Sequence, residues 1–181
     1  MAYHVFIDNS NLWIEGQYAS AVAQGWAADM DEAHERSLND LNWRIDYGKL
    51  LYFIVEGNLD EIKTAMLFGS VPPENDSLWA MIEAHGIEVK VLKRNFANKE
   101  KAVDTEMVHR IDKCIYKNSQ EGDIFVLVTG DRDFRVVIEP LKEEKRHLHL
   151  AFWSNAAWEL KTSADKFIDL TENIKSITYL K

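Results

Sequence analysis

Ile124-Phe125-Val126-Leu127-Val128, followed at once by Thr129-Gly130-Asp131-Arg132-Asp133-Phe134, is the stretch that decides the fold. Five consecutive apolar residues without polar alternation suit a central parallel strand covered by helices on both faces. The polar cluster after it marks where such a strand emerges at its carboxyl end. Val5-Phe6-Ile7 reads the same way and runs into Asp8-Asn9-Ser10-Asn11. Both strands therefore deliver aspartates to the edge of a sheet.

Between and beyond them, strand and helix patterns alternate. A helical pattern covers Leu12 to about Tyr18, and Asp46 is a plausible N-cap for a helix through Leu50, Leu51, Ile54 and Val55 that stops at Gly57. A strand follows from Lys63 to Phe68. Pro72-Pro73 breaks the chain, and Asp76 or Ser77 can cap a helix ending near Gly86. Ile87, Val89 and Val91 alternate with Glu88 and Lys90, as in a strand near a sheet edge. Val103, Met107, Ile111 and Ile115 recur every four residues, which places them along one stripe of a helix with Asp104 in its first turn. After the Ile124 strand come a helix from about Phe134 to Lys142, a strand from His147 to Phe152 and a short helix near Ala156 to Leu160. This alternation predicts an α/β fold with a mainly parallel sheet of about five strands. Ligands of such sheets bind beyond the carboxyl ends of the strands, where the strand order reverses.

The chain has 181 residues, 46% of them hydrophobic, which suits one domain over 1–181 with a buried core. The acidic, weakly periodic stretch inside residues 16–46 reads as an insertion or flap. Cys114 is the single cysteine, so no internal disulfide forms, and no Cys/His cluster has zinc spacing. The N-terminal residues show neither a basic leader nor an apolar export core, and no run approaches the length of a membrane span. A cytoplasmic protein without a membrane partner is expected.

Asp8, Asp104, Asp131 and Asp133 are the candidate site. Carboxylates gathered at one rim repel, so their joint placement makes sense when a divalent cation neutralises them. Oxygen-only ligands favour Mg²⁺ or Mn²⁺ over zinc. Each also has a plainer account: Asp131 or Asp133 can cap the following helix, Asp104 its own, and Asp8 can brace a turn. Taken singly, capping is the simpler account for Asp104 and Asp133. Asp112 lies eight residues beyond Asp104, about 12 Å along a helix, and reads as a surface charge. Glu106 and Arg110 suit an ordinary helix pair. His147 and His149 share one side of a strand and are expected in solvent, and most of the six tryptophans in packing positions.

Three ordered blocks, Phe6-Ile7-Asp8-Asn9-Ser10-Asn11-Leu12, Lys101-Ala102-Val103-Asp104 and Leu127 to Phe134, resemble the signature blocks of NYN domains, which are PIN-like nucleases. Ser163 to Leu170 looks like the tail of that family. The resemblance implies a PIN-like (Rossmann-like) three-layer sandwich and a metal-dependent ribonuclease acting on RNA, with single strands the expected substrate. Asp8, Asp104, Asp131 and Asp133 fall on the family's acidic positions as catalytic and metal residues, and Asn11 on a polar position beside the first aspartate. One or two Mg²⁺ or Mn²⁺ ions would be held by Asp8, Asp131 and Asp104, with Asp133 in support and Asn11 orienting water or a phosphate oxygen. Lys101, Arg132 and Arg135 are candidates to meet the RNA backbone.

Two departures from the family are visible. The link from Gly16 to Asp46 is long, and Arg110 stands where family members often carry a further acid. The net charge of −9 also opposes non-specific attraction to a polyanion. A second reading is therefore a weak or inactive RNA- or protein-binding module on the same fold. A third, a phosphoryl-transfer enzyme, lacks both a Gly-rich phosphate loop and a second aspartate two residues after Asp8. A homodimer is compatible with the sequence.

Overall fold

A computed structural model describes residues 1–70, 76–92 and 99–179. Its centre is a six-stranded parallel sheet in the order β3-β2-β1-β4-β5-β6, flanked by helices. The strands are β1 (Tyr3–Asp8), β2 (Ile62–Ser70), β3 (Glu88–Leu92), β4 (Ile124–Val128), β5 (His147–Phe152) and β6 (Lys166–Asp169). The helices are α1 (Asn9–Ala23), α2 (Met30–Glu35), α3 (Tyr47–Ile54), α4 (Asp76–Glu83), α5 (Lys99–Lys117), α6 (Ile138–Glu143), α7 (Trp158–Ser163) and α8 (Ile174–Ile177). A 3-10 turn, Arg132–Val137, joins β4 to α6.

Every residue of β1 and β4 is buried, which is why both read as uninterrupted apolar runs. They lie side by side, with Val5 opposite Val126 and Ile7 opposite Val128. Chain order turns back here, since β2 and β3 lie to one side of β1 while β5 and β6 lie beyond β4. β3 is an edge strand, as its alternation predicts. The sheet has six strands where the alternation predicts about five. β6 spans four residues and is half-buried, too short for its pattern to stand out.

The stripe on α5 is buried as expected. The helix begins at Lys99, however, so Asp104 sits in its second turn and does not cap it. Within residues 16–46, α1 continues to Ala23 and α2 follows; Ala27, Met30, Ala33, Trp43 and Ile45 are buried. One hydrophobic cluster runs from Tyr3 to Ile177 through every strand. The Pro72-Pro73 break lies outside the described residues. Among the described residues no helix is long and apolar enough to cross a membrane.

Candidate active site

The site is built where β1 and β4 end. Asp8 closes β1 in extended conformation and is the N-cap of α1: its Oδ1 accepts the Asn11 N–H at 3.2 Å. Asp131 plays the same part after β4, capping the 3-10 turn by accepting the Asp133 N–H at 2.9 Å. Each cap holds its carboxylate at the rim by one oxygen. The two loops are stitched together. The Asn11 side-chain oxygen accepts the Gly130 N–H at 2.9 Å. Thr129 Oγ1 accepts the Asp131 N–H at 3.3 Å and faces Asp8 Oδ2 at 3.5 Å. On the far side Gly130 offers its carbonyl to the Ala157 N–H at 3.0 Å, just before α7. Position 130 must be glycine, since a Cβ there would lie 2.2 Å from the Phe152 ring.

Asp8 is only 5% exposed. Burial, with the negative charges of Asp104 and Asp131 added, pushes its carboxyl up to about 7, against the opposing pull of the Asn11 N–H and the Thr129 hydroxyl. Asp8, Asp104 and Asp131 therefore lie within electrostatic reach of one another. Asp133 does not join them in the same way: its carboxylate is exposed, and it serves the site through its backbone N–H. Capping thus belongs to Asp8 and Asp131, not to Asp104 and Asp133 as the sequence suggests. Among the described residues no three His, Cys, Asp or Glu side chains stand close enough to share one ion.

The donor set still suits a hard cation. Mg²⁺ is commonly held by one or two carboxylates with waters completing its shell. A buried carboxyl driven towards neutrality by its neighbours' charges is what such an ion relieves. Asp8 and Asp131 would hold it, with Asp104 adding charge.

Around the site, Arg132 and Arg135 are exposed. The Lys101 side chain lies outside the described residues. Arg110 pairs with Glu106 at 2.7 Å and Asp112 is exposed, both as expected. The histidine expectation needs correcting: His147 is exposed, but His149 is half-buried with an unpartnered Nδ1, because burial deepens along β5. The tryptophans divide evenly. Trp43, Trp79 and Trp153 are buried, while Trp13, Trp26 and Trp158 are exposed.

A second titratable group escaped sequence reasoning because its members are scattered along the chain. At the opposite end of the sheet, His4 Nε2 lies 3.3 Å from Asp123 Oδ2, and His4 Nδ1 lies 3.3 Å from Cys114 Sγ and 3.1 Å from Thr64 Oγ1. A cysteine, a histidine and an aspartate in file suggest a nucleophile, but all three are buried. Burial holds the imidazole below its ordinary value and pushes the thiol up to about 11. Asp123 also accepts the N–H groups of Ala2 and Gln120. The cluster ties strand ends together and has no thiolate to offer.

A parallel sheet in this order, with carboxylates at its switch point, defines a PIN-like α/β domain. The profile of the NYN domain matches residues 4–172, and the chain belongs to that family. Membership carries the nuclease-type fold. Among solved structures, the crystal structure of a protein of unknown function from Vibrio parahaemolyticus shares the fold with a TM-score of 0.68 at 14% identity, covering 98% of this chain and 96% of that one. No curated protein matches.

Proposed function

We propose that the protein is a Mg²⁺- or Mn²⁺-dependent ribonuclease that hydrolyses phosphodiester bonds of single-stranded RNA at the Asp8–Asp131 rim. The carrying observation is the Asp8 carboxyl, buried beside Asp104 and Asp131 and pushed up to about 7. A helix cap alone does not call for two further carboxylates within electrostatic reach. Asp8 and Asp131 would hold the divalent ion, whose chemistry there would be acidifying a water and offsetting charge on the departing oxygen. The chain's own residues hold the geometry. Asn11 fixes Asp8 through its N–H and the β4 loop through its side-chain oxygen. Thr129 links the Asp131 backbone to Asp8, and Asp133 holds Asp131. Asn11 is thereby a positioning residue.

The test is cleavage of a labelled single-stranded RNA with Mg²⁺ or Mn²⁺. Asp8→Asn and Asp131→Asn should each abolish cleavage with the fold intact by circular dichroism. Cleavage that persists in both variants and in EDTA would refute the proposal. The dispersed carboxylates favour one second reading, an RNA- or protein-binding module that does not cut. A binder of that kind would show no millimolar or tighter Mg²⁺ affinity by calorimetry.

A further inference from the structure

β1 and β2 pair with Asp8 opposite Phe68; β1 then gives way to Asn9 at the start of α1, while β2 runs on along β3 to Ser70, so Asn9 and Ser70 stand at neighbouring strand ends. They open onto a cleft of about 540 Å³ lined by Asn9, Trp13, Arg44, Trp79, Met81 and Tyr179 among others. Gly69 admits the Trp79 indole, whose edge lies 3.0 Å from where a Cβ would stand, and Asn9 lies against the same position. The Tyr47 hydroxyl is hydrogen-bonded to the Asn9 side-chain oxygen and holds that wall. The cleft therefore begins one residue from the Asp8 carboxylate.

We propose that this cleft seats one unpaired base of the RNA strand whose phosphate lies at the aspartates. The proposal rests on the ribonuclease reading and adds how the strand is held. Scattered exposed apolar side chains are ordinary, but Trp13, Ile14, Met81 and Tyr179 are all exposed around one concavity. Its size is that of a ligand site, and aromatic faces accept any base by stacking. Charge points the same way. In a chain of net −9, no carboxylate lines the cleft among the described residues, and the charged side chain that does is Arg44. The Trp79 Nε1–H is buried without a hydrogen-bond partner. A base stacked inside a duplex cannot enter, so the cleft selects single strands, loops or frayed ends.

The experiment uses the full chain in Ca²⁺ buffer with a single-stranded RNA carrying one 4-thiouridine, and with the same RNA made abasic at that position. The cross-link is expected on Trp13, Met81 or Tyr179. Trp13→Ala and the abasic change should each weaken binding about tenfold, the lower part of the range for one stacked base. Applied together they should cost little more than either alone, because both remove one contact. Tyr116→Ala, exposed on α5 near the amino edge of the sheet, should change nothing. Cross-links mapping elsewhere, or an intact-to-abasic affinity ratio that Trp13→Ala leaves unchanged, would overturn the assignment. If that ratio collapses as expected but Mg²⁺-dependent cleavage is absent, the ribonuclease reading falls and the base site stands. If cleavage depends on Asp8 while the ratio does not move, the base site falls alone.

Discussion

Replacing Asp8 with asparagine should stabilise the metal-free protein by an amount that grows from about pH 4 and levels off above about pH 7. The Asp8 carboxyl rises from an ordinary 3.8 to about 7 in the folded chain. A carboxyl raised on folding contributes stability fully present below its unfolded value and lost as pH climbs through the folded one. Roughly 3 pH units at about 1.4 kcal/mol each give a loss on the order of 4 kcal/mol by about pH 8.5. Asparagine keeps an oxygen to accept the Asn11 N–H, so the N-cap survives while the buried charge goes. At about 2–4 °C per kcal/mol for a chain of this size, Asp8→Asn should melt on the order of 10 °C above the parent at about pH 8.5 in EDTA. The two should nearly coincide at about pH 3, where both states of the parent are largely protonated. Thermal melts across that range are the assay, and Mg²⁺ should raise the parent's melting temperature while leaving the variant's where it was. A variant no more stable than the parent at alkaline pH, or a difference that does not grow with pH, would refute the reasoning.

Other changes separate the roles of neighbouring residues. Asn11→Ala removes the acceptor for the Gly130 N–H and should cost about 1–3 kcal/mol in urea unfolding, with a lower kcat and a little-changed KM for RNA. Gly130→Ala drives a methyl into the Phe152 ring and should cost about 1–3 kcal/mol or more; Phe152→Leu in the same chain should recover part of that loss. Asp131→Ser keeps a hydroxyl able to cap the 3-10 turn while removing the carboxylate. Its unfolding free energy should stay within about 1 kcal/mol of the parent's, and both cleavage and the Mg²⁺ response should vanish. Retained cleavage there would remove Asp131 from the site.

The rim was legible because β1 and β4 are buried on both faces, so their apolar runs are continuous and their ends abrupt. The rule that ligands sit where strand order reverses then located Asp8 and Asp131 without coordinates. What escaped had weak local signals. β6 is four residues long and half-buried. α5 starts five residues before Asp104, in a polar stretch whose composition marks no boundary. Tryptophan identity says little about exposure, because the ring is apolar and its N–H polar, so Trp13 and Trp153 could not be told apart by type. Thr129 and Gly130 stood inside the quoted motif. Their parts in it, a hydroxyl between two aspartates and a gap for Phe152, depend on neighbours far away in sequence.

Capping and metal binding look like rival accounts of these aspartates until their oxygens are considered separately. Asp8 uses Oδ1 to hold the start of α1, and Oδ2 turns towards Thr129 and the β4 loop. Asp131 gives Oδ1 to the Asp133 N–H. A cap fixes its own carboxylate as firmly as it fixes the helix, so one bond both starts the helix and aims the remaining oxygen. The cost appears at Asp8, whose charge is disfavoured first by burial and then by Asp104 and Asp131. A chain selected for stability alone could cap α1 with serine or asparagine and avoid that penalty. An aspartate at position 8 therefore fits the proposed cation site, where a cap alone would have been served by an uncharged residue.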